Sequence, residues 1–257
     1  VNQVPCAFVL SHFELNESAA FYGVFGYGKD KAMIETFRQK VNVAYLDRKL
    51  QENQTLIRDL VGHVHTETSE EMFDAYVEQC FLDNVLRGGF PMMFETKKGP
   101  IAYHVYSRKH GDLERDYNFF SLEPAYFSQG NGAFRDVLQN RRNDIYIQPK
   151  MDDFSIRQFG SFIQADGYNP LSIEGLVFSF EGDLNAFAKG YHTLLKGSFS
   201  PGEVATLAAR LGDDPIQTVK AVLKHSTYEF KATFGEGYWE DHFTYHHDLI
   251  AAYLDVY

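Results

Sequence analysis

Residues 29–63 contain no proline and a single glycine, Gly62, while apolar side chains recur at Ile34, Phe37, Val41, Tyr45, Leu46 and Leu50. That spacing is close to 3.6 residues, so it lays one apolar stripe along a helix and leaves the charged residues on the other face. It commits residues 29–65 to a helical linker, broken once near Asn53. Upstream, residues 7–10 and 18–27 are short apolar or aromatic runs with no helical period, which predict strands. Two strands do not stand alone as a domain, so residues 1–28 read as the C-terminal end of a larger β-structure. Downstream, Thr68 and Glu71 have the spacing of a capping box. Met72, Phe73, Tyr76, Val77, Cys80, Phe81 and Leu82 follow as a stripe wide enough to predict burial on more than one side, with Cys80 a small buried hydrophobe. Residues 91–123 read as an irregular loop of the kind that carries function. Further helices are predicted near 132–142, 152–165, 184–196, 201–211, 215–224 and 241–256, which makes the expected fold mainly α. The chain begins at Val1 rather than Met and stops at Tyr257 within an amphipathic run, which reads as a piece of a longer protein.

Charge and composition narrow the function classes. The net charge is −11, which disfavours a nucleic-acid backbone as partner because phosphate binding needs a basic surface. Residues 203–223 scan like a helix-turn-helix, but Asp213 and Asp214 make its turn acidic, so it reads as an ordinary helical hairpin. No apolar run is long enough for a membrane span. Two cysteines are too few for a disulfide framework. Aromatic residues make up 16% of the chain, and besides filling a core they can form platforms for the apolar faces of sugars.

Two segments stand out chemically. In residues 130–144 a Gly130-Asn131-Gly132 turn delivers the chain into a helix bearing Arg135, Asp136, Gln139, Asn140, Arg141, Arg142 and Asp144. Arg135, Gln139 and Arg142 share one face and Asp136, Asn140 and Asn143 the next, a mixture of donors and acceptors suited to a ligand with many hydroxyls. A solvated face of ion pairs fits the same pattern. In residues 234–247, Gly235 and Gly237 precede Tyr238, the single Trp239, Glu240 and Asp241. An apolar wall beside a carboxyl group raises its pKa, and a protonated carboxyl near neutral pH can donate to a glycosidic oxygen. The same residues fit a core Trp and an N-cap at Asp241. His242 and His246 have i, i+4 spacing, yet no Glu lies in the metalloprotease position and no third ligand is evident, so no metal is expected. Residues 165–174 read as consecutive turns between helices.

The text GNGAFRDVLQN at residues 130–140 resembles the GFRDQLQD segment of the cellobiose phosphorylase family, and GYWEDH at residues 237–242 resembles that family's GDWND segment. The family comprises inverting phosphorylases that split β-linked glucosides with inorganic phosphate. The departures at Asn140 and Tyr238, where the family has Asp, and the QNRR and DGYNPL text look more like the long β-oligoglucan phosphorylases. The resemblance implies that residues 66–257 form the N-terminal portion of an (α/α)6 barrel, preceded by linker helices at 29–65 and the last strands of a β-sandwich at 1–28. It implies Asp241 as general acid, and Arg135, Asp136, Asn140, Arg141, Tyr238 and Trp239 around the sugar. Implied too are a β-glucan oligosaccharide or disaccharide and phosphate as substrates, no further cofactor, no nucleic-acid or membrane partner, and a cytoplasmic location. A homodimer is left open, and the phosphate-binding residues are expected after the acid motif. Phosphate is already an anionic nucleophile, so one carboxylic acid suffices where an inverting hydrolase needs two. Two other readings remain: a hydrolase on the same scaffold, with Glu236, Glu240 or Glu123 as base, and a non-catalytic glycan-binding or scaffold protein.

Overall fold

The computed structural model describes residues 10, 12, 14, 18–26, 28, 30–108, 125–235 and 240–257. It divides into two compact units, residues 1–54 and 55–257. In the first, helix α1 (Lys31–Lys40) is capped by Asp30, whose side chain accepts the Met33 N–H at 2.8 Å. The expected single break in the linker helix is real but lies earlier than Asn53. Asn42 accepts the Tyr45 N–H at 2.9 Å and starts α2 (Val43–Val61), because an Asn side chain that satisfies an orphan helix N–H is a starting signal. Neither α1 nor α2 buries a residue. Residues 18–26 form no strand, and the described residues of 1–28 contain no sheet.

The second unit is mixed α and β, which overturns the mainly α, (α/α)6-barrel expectation. Helix α3 (Glu71–Gly88) does not use the Thr68–Glu71 box. Asp74 instead accepts the Thr66 hydroxyl at 2.6 Å and the Thr68 N–H at 2.9 Å, tying the chain ahead of the helix to its first turn. Only Phe81, Val85 and Gly88 of this helix are buried. Met72, Phe73, Tyr76 and Cys80 are exposed, contrary to the width of their apolar stripe.

The segment from residue 91 read as a loop begins with a hairpin, β1 (Phe90–Thr96) and β2 (Gly99–Val105), turning at Lys97 and Lys98 with Thr96 opposite Gly99. Gly99 sits at φ +103°, a conformation open to glycine, and Thr96 donates to the Gly99 carbonyl at 2.7 Å. A four-stranded antiparallel sheet follows from β3 (Gly132–Ala133), β4 (Pro170–Phe180), β5 (Ser198–Phe199) and β6 (Ser226–Phe234). Strand β4 is the hub. β6 runs along one edge from Pro170–Phe234 to Phe180–Ser226. On the other edge β3 pairs at Ser172 and Ile173, and β5 pairs at Phe178 and Ser179.

Around the strands lie α4 (Phe134–Arg141), α5 (Asp144–Ile147), α6 (Phe154–Gly160), α7 (His192–Leu195), α8 (Pro201–Leu211), α9 (Pro215–Leu223) and α10 (Asp241–Val256). The helical hairpin read at 201–224 is present. Ser200 and Glu203 form a reciprocal capping box, Gly212 ends α8 in the left-handed conformation, and Asp214 caps α9. Residues 184–196, expected as one helix, are two 3-10 turns and the single turn of α7. One core cluster joins the β1–β2 hairpin to β4 and α8–α9 through Phe94, Tyr103, Phe178, Phe199, Val204 and Val222. A second joins α4, α6, β4 and α10 through Phe134, Leu138, Phe159, Phe162, Ile173 and Leu249.

Gly89 links α3 to β1 at φ +78°, and a Cβ there would lie 2.6 Å from the Val105 carbonyl oxygen and 2.7 Å from the Ser107 nitrogen. Both obstacles are backbone, so Gly89→Ala is expected to destabilise the fold by at least about 2 kcal/mol in urea titration. Gly62→Ala meets nothing within 4 Å and is expected to stay within about 0.5 kcal/mol of the parent protein.

Candidate functional site

Helix α4 is oriented by what precedes it. β3 is hydrogen-bonded to β4 at Gly132–Ile173 and Ala133–Ser172, and the chain enters the helix at Phe134 directly from that ladder. Phe134, Val137, Leu138 and Arg141 fall on one stripe and are buried. This leaves Arg135 exposed and Asp136 half-buried beside it, Nε to Oδ1 3.6 Å. Asn140 turns its amide back on its own helix, donating to the Asp136 carbonyl at 2.8 Å.

Helix α10 packs on α4, α5 and α6. Its His242 and His246 lie one turn apart against the ring of Phe134, at centroid distances of 5.3 and 6.1 Å. His242 is buried and within electrostatic reach of Asp241, Arg135 and Asp136. The two segments singled out in the sequence therefore meet, and one imidazole feels charges from both. Asp241 is the first residue of α10 and is exposed; the N-cap position is taken by Glu240, whose side chain makes no capping hydrogen bond among the described residues. Glu240 precedes it, also exposed. Tyr238, Trp239, Glu236 and Glu123 lie outside the described residues.

The structure separates Arg141 from the rest of this set. Its guanidinium is 6% exposed, donates to the carbonyl of Gly88 at the end of α3, and lies 4.0 Å from Asp144. Asp144 in turn accepts from His104 Nε2 at 2.6 Å. Arg141 was expected to bind substrate; it instead forms part of a buried clamp joining α3, β2, α4 and α5. Burial pushes the His104 pKa down, as does the Arg141 cation, against the opposing pull of Asp144. The sequence held no local signal for this clamp, because His104 and Gly88 reach Arg141 only through the tertiary fold. Arg142, on the other side, pairs with Asp248 of α10 at 3.0 Å and ties the two helices together at the surface.

His242 and His246 pack against Phe134. Among the described residues no group of three or more His, Cys, Asp or Glu side chains could hold a metal ion. Burial lowers the pKa of both imidazoles. For His242, Asp241 and Asp136 oppose that shift and Arg135 reinforces it; for His246, His242 reinforces it. Among the described residues no helix is long and apolar enough to cross a membrane.

Two predictions follow from these groups. Asp144→Ala leaves the Arg141 guanidinium buried without its counter-charge and is expected to cost roughly 3–5 kcal/mol in urea titration. The three imidazoles His104, His242 and His246 are held neutral in the fold, whereas in the unfolded chain they protonate near about pH 6.5. Their contribution is therefore complete above that pH and is lost as pH falls from about 6.5 towards their lowered folded values. Urea midpoints measured from pH 7.5 to 5 are expected to decline in that window, and less steeply in His246→Phe.

In comparisons with known proteins, no family model matches the chain, and neither a curated protein nor a solved structure matches it.

Proposed function

We propose that the chain takes part in inverting phosphorolysis of β-linked glucosides in the cytoplasm, with Asp241 as general acid and inorganic phosphate as nucleophile. The observation that carries the reading is the meeting of α4 and α10, in which the buried imidazole of His242 lies within reach of Asp241 and of the Arg135–Asp136 pair. The resemblance of both segments to cellobiose phosphorylases supplies the chemistry.

In that reaction the Asp241 carboxyl donates its proton to the glycosidic oxygen as the bond from that oxygen to the anomeric carbon breaks. A phosphate oxygen forms the new bond to the anomeric carbon from the opposite face, and the β configuration becomes α-glucose 1-phosphate. The shortened glucan leaves with the proton, and Asp241 is reprotonated from solvent. Arg135 offers a planar fork of donors and Asp136 offers acceptors, so together they can grip vicinal sugar hydroxyls and fix the ring for attack.

Incubating the protein with β-oligoglucans, with and without phosphate, tests the reading. Glucose 1-phosphate formed only with phosphate supports it. Free glucose formed without phosphate points to a hydrolase, and binding without turnover to a glycan-binding protein; either outcome contradicts it. Asp241→Asn is expected to lower kcat roughly 10²–10⁴-fold while glucan binding changes little, and full activity in that variant removes Asp241 from the acid role.

A further inference from the structure

The edge of β4 that faces β3 and β5 is completed by a side chain. Between the two short strands the backbone of Leu176 has no strand partner on that edge. The Gln129 amide fills the gap, donating from Nε2 to the Leu176 carbonyl at 2.9 Å and accepting the Leu176 N–H on Oε1 at 3.1 Å. One planar amide thus makes the donor–acceptor pair that a strand residue would make. The neighbouring position is shaped for it. Gly175 sits at φ +113° beside a register shift in the β4–β6 ladder, and a Cβ there would lie 2.6–2.7 Å from the amide atoms of Gln129.

The residues around Gln129 are held in the same manner. The Tyr106 N–H donates to the Ser128 carbonyl at 2.7 Å, and the Gly130 N–H donates to the Ser107 hydroxyl at 2.7 Å. Gly132 and Ala133 are in the β4 ladder, and Asn131 just before them is exposed. Arg135 and Asp136 follow within three residues of that ladder.

We infer that Gln129 is a positioning residue for the Arg135–Asp136 segment: its side-chain amide, occupying a strand position against Leu176, fixes the Gly130-Asn131-Gly132 stretch from which that segment starts. This rests on the proposed sugar-binding role of Arg135 and Asp136 for its functional consequence, but not for its structural one. Gln129 touches no reacting group; it acts through the backbone it anchors. The amide is needed for both halves of the contact. Met at this position fills similar space and makes neither hydrogen bond, whereas a protonated Glu can donate to the Leu176 carbonyl and accept its N–H.

Hydrogen–deuterium exchange of the whole chain and steady-state kinetics test it together. Gln129→Met is expected to speed exchange in residues 130–136 about tenfold while β6 and α8–α9 keep their protection. It is also expected to raise KM for a β-oligoglucan about tenfold, with a smaller change in kcat and none in KM for phosphate. Gln129→Glu is expected to regain protection relative to the parent protein as pH is lowered. Unchanged exchange at residues 130–136 in Gln129→Met overturns the inference, as does loosening spread equally over β6. Faster exchange at residues 130–136 with KM for the glucan unchanged overturns its link to the site. A parent protein that forms no glucose 1-phosphate removes the functional reading alone, and the exchange result then decides whether Gln129 fixes the segment.

Discussion

The contact of Phe134 with His242 and His246 is the joint on which the candidate site depends. Phe134 is the first residue of α4, and the two imidazoles lie in the first two turns of α10. Burying neutral imidazoles against a phenyl ring lets the two helix starts come close without placing a charge in the core. Arg135 and Asp241 are exposed and Asp136 is half-buried, and all three act electrostatically on His242.

The clamp at the other end of α4 works by opposite means. Arg141, Asp144 and His104 are charged or polar groups taken out of water, and such groups are tolerated only when they satisfy one another. A helix of eight residues has little stability of its own. It is held at its start by the β3–β4 ladder and Phe134, and at its end by Arg141. A short, doubly anchored helix presents its outer residues with little positional freedom.

The elements legible in the sequence were those with their signals written locally. Helices α8, α9 and α10 follow from Ser200-Pro201 and Glu203, from Gly212, from Asp214-Pro215 and from an apolar stripe, all within a few residues of the ends they mark. The strands were not legible in this way. Pro91, Pro100 and Pro170 punctuate β1, β2 and β4 at or near their ends and made these segments resemble loops, although proline is compatible with a strand's first positions and free edges. The alternation of Tyr228, Phe230 and Ala232 in β6 was visible at period two, but a strand exists only with a partner, and its partner β4 lies more than forty residues away. On α3 the converse occurred. An apolar stripe was present, yet burial depends on what packs against it, and Met72, Phe73 and Tyr76 stay exposed. The two motif segments were singled out in the sequence, and in the fold their helices α4 and α10 pack together. Arg141 was misread because nothing in its own sequence neighbourhood distinguishes a buried cation from a ligand-binding one.

The central claim is that the start of α4 and the start of α10 form one binding surface. Heteronuclear NMR titration of the chain with a β-linked glucotriose tests it most directly. The amide signals of Arg135, Asp136, Asp241 and His242 should shift together along a single saturable curve. Shifts confined to one helix, or two sets of signals with different affinities, would contradict a common site.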